Sequence, residues 1–225
     1  MIKLPEPIDQ VVVNLLRLAN TKIPEDVGWA LEAAGMWETS PVAYTQIGAI
    51  MDNLKKAEHM GKPMCQDTGI PVFYVRGRFD SSISVEIARG VERATREIPL
   101  RPNTVDPLTR ENDGRNLGQG MPQIHYIPTD DDFTEITVLP KGAGSENMTR
   151  LGMLNPADGI KGVEDFIVDA VLDAGGRPCP PSIVGVGIGG MSDSCLEMAK
   201  EALVMPLDAE NPDPVLKEME ERLFV

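Results

Sequence analysis

Aromatic side chains make up only 4% of this sequence, so its core must be built from Val, Ile, Leu, Ala and some of its twelve methionines, whose flexible thioethers fill gaps. Cations are scarce as well: 21 Lys and Arg stand against 35 Asp and Glu, a formal charge of −14. Such a balance argues against a nucleic-acid partner and against anionic membrane surfaces, both of which call for clustered basic residues. No run reaches the ~18 apolar residues of a membrane span. The opening "MIKLPEPIDQ" has one early lysine, two prolines and an aspartate, which is not the pattern of a signal peptide, and a cytoplasmic protein is expected. Cysteine is limited to Cys65, Cys179 and Cys195, an odd number that disfavours a disulfide framework and leaves free thiols, metal ligands or a nucleophile. With only His59 and His125 in the chain, and neither in a cysteine-hydrolase context, Cys65 has no obvious base.

What is present divides into periodic segments and polar loops. Helical spacing runs through "EPIDQVVVNLLRLANT", "PEDVGWALEAAGMWE" and "SPVAYTQIGAIMDNLKKAEHM", the last opening on a Ser-Pro cap, and the apolar faces of all three predict core packing. "PVFYVRG" predicts a strand and "ISVEIARGVERATREI" a helix. Residues 99–120 have prolines, glycines, asparagines and Arg101, Arg110 and Arg115 without apolar periodicity, which marks a long loop of the kind that is functional or mobile. "MPQIHYIP" and "DFTEITVLP", separated by "TDDD", predict a hairpin. Further helices are expected at "GIKGVEDFIVDAVLDAGG", "SDSCLEMAKEAL" and "DPVLKEMEERLF", with a turn and a buried strand at "RPCPPSIVGVGIGG". No repeat, low-complexity tract or linker divides the chain.

Four polar loops abut apolar runs: 63–69, 100–120, 141–147 and 177–190. Taken singly each has a plain reading. "CQDTG" is turn chemistry around a small buried thiol. "GVGIGG" has the glycine content of a phosphate-binding loop but not its order, and the next helix carries Asp193 and Glu197 rather than a lysine. "KGAGSEN" is a glycine-rich turn after a strand. Together they are harder to dismiss, because two hold cysteines in constrained backbone and the other two hold cations. A cysteine between prolines, beside glycines that admit a bulky group, suits an iron–sulfur cluster.

In this order and at these intervals, "MCQDTGIPVF", "RPNTVDPLTREN" followed by "IHY", "LPKGAGSEN" and "CPPSIVGVGIGG" resemble the class I fumarate hydratases and the related L-tartrate dehydratase α subunits. The resemblance implies an α+β fold, with an N-terminal helical block around a largely antiparallel sheet, as a single domain over 1–225. It implies a [4Fe–4S] cluster with Cys65 and Cys179 as two of its three cysteine ligands. Gln66 and Asp67 would meet the substrate beside the open iron, Asp67 also handling a proton at the departing hydroxyl. Arg101 would clamp a substrate carboxylate, and Gly144 would offer its N–H, with Lys141 and Asn147 as further contacts. The implied reaction interconverts fumarate and L-malate, a step of the tricarboxylic acid cycle. The alternative substrate is L-tartrate.

The resemblance also implies a β subunit or C-terminal domain as partner and a dimeric assembly. The family's third cysteine lies downstream in a Pro-Cys-His context, and this chain ends at "MEERLFV", so the pattern implies a chain shortened at its C-terminal end. Such a chain would be inactive without the remainder. Cys195 does not fill the vacancy by resemblance and reads as an inner-face helix thiol. Two rivals follow: a non-catalytic remnant unable to retain a cluster, and a metal-free thiol enzyme using Cys65.

Overall fold

The structure, a computed structural model, describes residues 6–224; the early lysine and proline of 1–5 lie outside the described residues. It divides into two units, one ending at Ala143 and one beginning at Gly144.

In the first unit, α1 (Ile8–Thr21) carries Asp9 in its first turn, where a carboxylate faces the unpaired N–H groups of the helix start. Its buried Val12, Val13 and Leu16 form one stripe, as the helical repeat requires. Opposite stands α4 (Ile83–Glu97), whose Ile83, Ile87, Val91 and Ala94 are buried. Gly90 lets the two helices meet, because a Cβ there would lie 2.5 Å from the Cβ of Val12. Arg93 of α4 locks the crossing, donating to the Asp9 carboxylate at 2.5 Å and to Gln10 Oε1 at 2.8 Å.

Strand β1 (Ile70–Gly77) adds Phe73 and Val75 to this core. It is flanked by β2 (Gln123–Pro128) and β3 (Thr134–Lys141). The order is β2-β1-β3, with β1 parallel to β2 and antiparallel to β3. The α+β class therefore holds, on a mixed three-stranded sheet. The expected hairpin does not form: β2 and β3 are separated by β1. The reason lies in apolar content. Val72, Phe73, Tyr74 and Val75 are all buried, which suits β1 to the centre, whereas β2 and β3 have no fully buried residue and take the edges. The 129–133 connection crosses the end of β1 at Gly77. There φ is 100° and a Cβ would stand 2.1 Å from the Phe133 carbonyl oxygen, so only glycine admits the crossing.

Between α1 and β1 lie α2 (Glu25–Trp37) and α3 (Pro41–Met60). Core packing was expected of both, and neither delivers it. Among the described residues α2 buries none and α3 only Ala57, while Trp29 and Trp37 are 61% and 72% exposed. The two helices pack chiefly on each other, as where Gly35 faces Ile47. Ser40 stands at the start of α3 but makes no side-chain cap; its N–H donates to Glu38 Oε1 instead. Methionine likewise contributes less than expected, Met219 being the one fully buried among the described residues.

The second unit is helical: a one-turn α5 (Ala143–Glu146) at its start, α6 (Gly159–Ala174), α7 (Ser192–Ala202) and α8 (Pro214–Leu223). Asp213 caps α8, accepting from Val215 and Leu216 N–H. Arg222 of α8 pairs with Glu164 of α6 at 2.6 Å, and Lys200 of α7 with Glu146 of α5 at 2.7 Å. The buried strand expected within 182–190 is neither a strand nor buried. Ile183, Val184 and Ile188 are 46%, 54% and 45% exposed. Instead of pairing edge to edge, this extended run lies on α7 through its glycines: a Cβ at Gly185 would be 2.1 Å from Ala199 O, and one at Gly187 2.2 Å from Cys195 O.

Candidate active site

The 65–69 loop is fixed from its first residue. Met64 N–H donates to Asn20 O at 2.9 Å, and Met64 O accepts from Asn53 Nδ2 at 2.7 Å, so α1 and α3 both hold the chain just ahead of Cys65. The Cys65 thiol is unpaired and exposed, and Gln66 beside it is exposed. At the far end Gly69, with φ of 76°, presses on β3, where a Cβ would lie 2.5 Å from Pro140 C. Glycine is needed there twice over, for the left-handed backbone and for the close approach.

Asp67 lies between these anchors. Its Oδ1 accepts from Gly69 N–H at 3.1 Å and from Asn103 Nδ2 at 2.9 Å, and its Oδ2 accepts from Ala143 N–H at 3.1 Å. A carboxylate oxygen has two lone pairs, so Oδ1 is filled while Oδ2 keeps one for another donor. Thr68, 6% exposed, ties the loop to the next one: its Oγ1 accepts from Arg101 N–H at 3.0 Å and faces Arg101 O at 3.5 Å.

The 99–120 loop is thus a structured element without helix or strand. Asp106 Oδ1 accepts from Leu108 and Thr109 N–H at 2.9 and 2.7 Å. Those bonds, Thr109's first, hold the Asp106 carboxyl below the usual carboxylate range. Arg115 is spent locally on Asp113, at 2.6 Å, and this lowers the Asp113 pKa. The Arg101 guanidinium is exposed and has no acceptor among the described residues. Its backbone is pinned while its charged head makes no bond to the described residues. Lys141, at the end of β3, is half-buried.

The first unit therefore brings together Cys65, Gln66, Asp67, Arg101 and Lys141. The second holds the others. Gly144 stands beside the 177–190 loop, a Cβ there meeting Arg177 O at an ordinary 3.6 Å, and Asn147 is exposed one turn on. Cys179 is an exposed free thiol at φ of 60°, a left-handed conformation that costs a non-glycine residue ~1–2 kcal/mol. Its N–H donates to Gly176 O at 3.3 Å. Cys195 is half-buried on α7, its Sγ donating to Gly187 O at 3.1 Å, the inner-face position expected of it.

As ligands for an iron–sulfur cluster, Cys65 and Cys179 are of the right chemistry, both exposed and outside any disulfide. Their number falls short. Among the described residues no group of three or more His, Cys, Asp or Glu side chains is gathered as a metal would need, so the ligand set would be completed from elsewhere. Sequence reasoning passed over Thr68, Asn103 and Asn116, which join the two loops. Asn103 stood inside a quoted motif, whereas Asn116, at φ of 57°, carried no signal beyond asparagine's tolerance for that conformation.

Comparison with known proteins gives the family. The family described as fumarate hydratase (Fumerase) matches residues 9–225. A Methanocaldococcus jannaschii protein with the provisional name L(+)-tartrate dehydratase subunit alpha is 44% identical, over 96% of this chain and 79% of its own length. The L(+)-tartrate dehydratase subunit alpha of Escherichia coli K12 is 32% identical over 96% of this chain and 73% of its own. A Geobacillus stearothermophilus protein provisionally named class I fumarate hydratase is 34% identical over the whole of this chain, which spans 45% of that longer protein. The match over 9–225 and the 44% identity settle the membership: this chain belongs to the fumarate hydratase family of hydro-lyases.

Proposed function

We propose that this chain is the α-type part of a cytoplasmic [4Fe–4S] hydro-lyase that interconverts fumarate and L-malate together with a β-type partner. One observation carries the reading: the loop of Cys65 and Gln66 is bonded through Thr68 to Arg101, whose guanidinium has no acceptor among the described residues. Cys65 and Cys179 would hold the cluster, which supplies an iron with an open position as a Lewis acid for the substrate's hydroxyl and carboxylate.

The chain's own residues do the rest. Arg101 takes a substrate carboxylate in its planar fork, and the exposed Gln66 amide hydrogen-bonds the substrate beside it. Asp67 Oδ2 has one lone pair left after Ala143 N–H; it holds the proton that leaves with the hydroxyl in dehydration, or takes it from water in hydration. Lys141, Gly144 and Asn147, in the 141–147 loop, would be further contacts. A partner is supported by the α-subunit names of the relatives, and the base for the carbon-bound proton would come from it.

Arg101→Ala tests the clamp. In cluster-loaded complex KM for fumarate rises by about 100-fold, the order expected when a charge-assisted pair of hydrogen bonds is lost; an unchanged KM refutes the assignment. A second reading, dehydration of L-tartrate, is favoured by the two relatives named for it, at 44% and 32% identity. Competition between L-malate and L-tartrate for the loaded complex decides between them, the true substrate showing the higher kcat/KM.

A further inference from the structure

Asn116 is 1% exposed and uses its whole amide. Oδ1 accepts from Asn103 N–H at 2.6 Å and Thr104 N–H at 3.3 Å. Nδ2 donates to Arg101 O at 3.1 Å and to Thr95 Oγ1 at 3.2 Å. Thr95 belongs to α4, where its hydroxyl donates to Val91 O at 2.8 Å. One buried side chain therefore fastens the 101–104 backbone to a helix of the core. From there the bonds continue: Asn103 Nδ2 donates to Asp67 Oδ1 at 2.9 Å and to Gly69 O at 3.1 Å. Neither asparagine needs to touch a ligand for this to matter. The Arg101 head is unpaired, so its aim is set by its backbone, and that backbone is held by Thr68 at the N–H and by Asn116 at the C=O.

We propose that Asn116 is the positioning residue of the carboxylate-binding arginine, acting from beneath it on the 101–104 segment; this rests on the reading of Arg101 as the clamp. Without the Asn116 amide, two N–H groups of that segment lose their partner and turn to water, and the Arg101 C=O keeps only the long 3.5 Å contact with Thr68 Oγ1. Arg101 then samples many directions, and substrate binding has to restrict it again.

Asn116→Gly is the informative variant, because glycine keeps the left-handed backbone at this position while removing the side chain. In cluster-loaded complex with its partner, KM for the dicarboxylate rises about tenfold with kcat altered less than about twofold, the signature of lost uniform binding. In an Arg101→Ala background the same change moves KM by less than about twofold, since the two act as one unit. Asn116→Asp keeps both acceptor bonds but turns a carboxylate oxygen on the Arg101 carbonyl that Nδ2 had served, so it leaves KM raised. Hydrogen exchange on the chain itself shows Asn103 and Thr104 amides deprotected in Asn116→Gly, with β1 amides unchanged.

A merely structural role gives a different pattern: a lower active fraction and kcat at unchanged KM, or a KM increase that adds to that of Arg101→Ala. Either result overturns the proposal, as does unaltered exchange at Asn103 and Thr104. If Arg101→Ala raises KM and Asn116→Gly does not, this inference alone fails. If Arg101→Ala leaves KM unchanged, the clamp reading fails and takes the inference with it.

Discussion

Replacing Gly69 with alanine measures how tightly the 65–69 loop is pressed onto the end of β3. Two costs can be worked out. The backbone there has φ of 76°, which an L-residue with a Cβ adopts at ~1–2 kcal/mol. The added methyl would lie 2.5 Å from Pro140 C and 2.8 Å from Lys141 N. Those are main-chain atoms of a paired strand, unable to swing aside as a side-chain tip would, and overpacking of this kind costs ~1–3 kcal/mol. The sum, ~2–5 kcal/mol, corresponds to a fall in Tm of about 5–15 °C for a chain of this size. Gly61, at the end of α3, is the control, because its φ is 60° but nothing lies within 4 Å of a Cβ; Gly61→Ala has only the backbone term, ~1–2 kcal/mol. Thermal unfolding followed by circular dichroism reads both. Equal losses at the two positions would refute the collision argument, and a negligible loss at Gly69 would refute the loop's placement on β3. The damage also reaches the site, since Gly69 N–H bonds Asp67 Oδ1 and Gly69 O takes Asn103 Nδ2.

Three further outcomes follow from separate features. Gly90→Ala gains ~1 kcal/mol of helix propensity but places a methyl 2.5 Å from Val12 Cβ and 2.8 Å from Asp9 O, so urea unfolding should show a net loss of ~1–3 kcal/mol; a stabilised variant would contradict the α1–α4 contact. Cys195→Ser keeps a donor for Gly187 O, and iron content after reconstitution should equal that of the parent chain, with a drop identifying Cys195 as a ligand. The Asp106 carboxyl, lowered by the Thr109 and Leu108 N–H groups, stabilises its turn above the ordinary aspartate range of about pH 4, and the contribution is lost as pH falls through the depressed value. In an NMR titration the Leu108 and Thr109 amides should shift together with a midpoint below that of an ordinary aspartate; a midpoint at or above it counts against the turn.

Periodicity carried the helices. The stripe Val12, Val13, Leu16 against Ile83, Ile87, Val91 was legible because one face of each helix is apolar and the other is not. Pairing was less legible. The runs at 121–128 and 132–140 have the spacing of a hairpin, but local spacing does not register that the more apolar β1 takes the place between them, nor that Gly77 lets the Phe133 carbonyl pass so close. The same limit applies to 182–188, whose Ile183, Val184, Val186 and Ile188 read as a strand. Alternation with Gly185 and Gly187 instead fits the run to the backbone of α7. Trp29 and Trp37 misled for a related reason: apolar character predicts burial somewhere, and α2 leaves both exposed. At the candidate site, the groups that would meet a ligand were visible as unusual residues in polar loops. The groups that hold them were not, because Thr68, Asn103 and Asn116 work through bonds between segments far apart in sequence.

The decisive experiment is anaerobic reconstitution of the chain with iron and sulfide, in the presence of a β-type partner, with cluster content and fumarate hydration measured on the same sample. The expected cluster is lost in Cys65→Ala and in Cys179→Ala and retained in Cys195→Ser, with L-malate formed from fumarate only by loaded complex. A fully loaded complex that hydrates no C4 dicarboxylate, or a cluster that survives both substitutions, would contradict the proposed function.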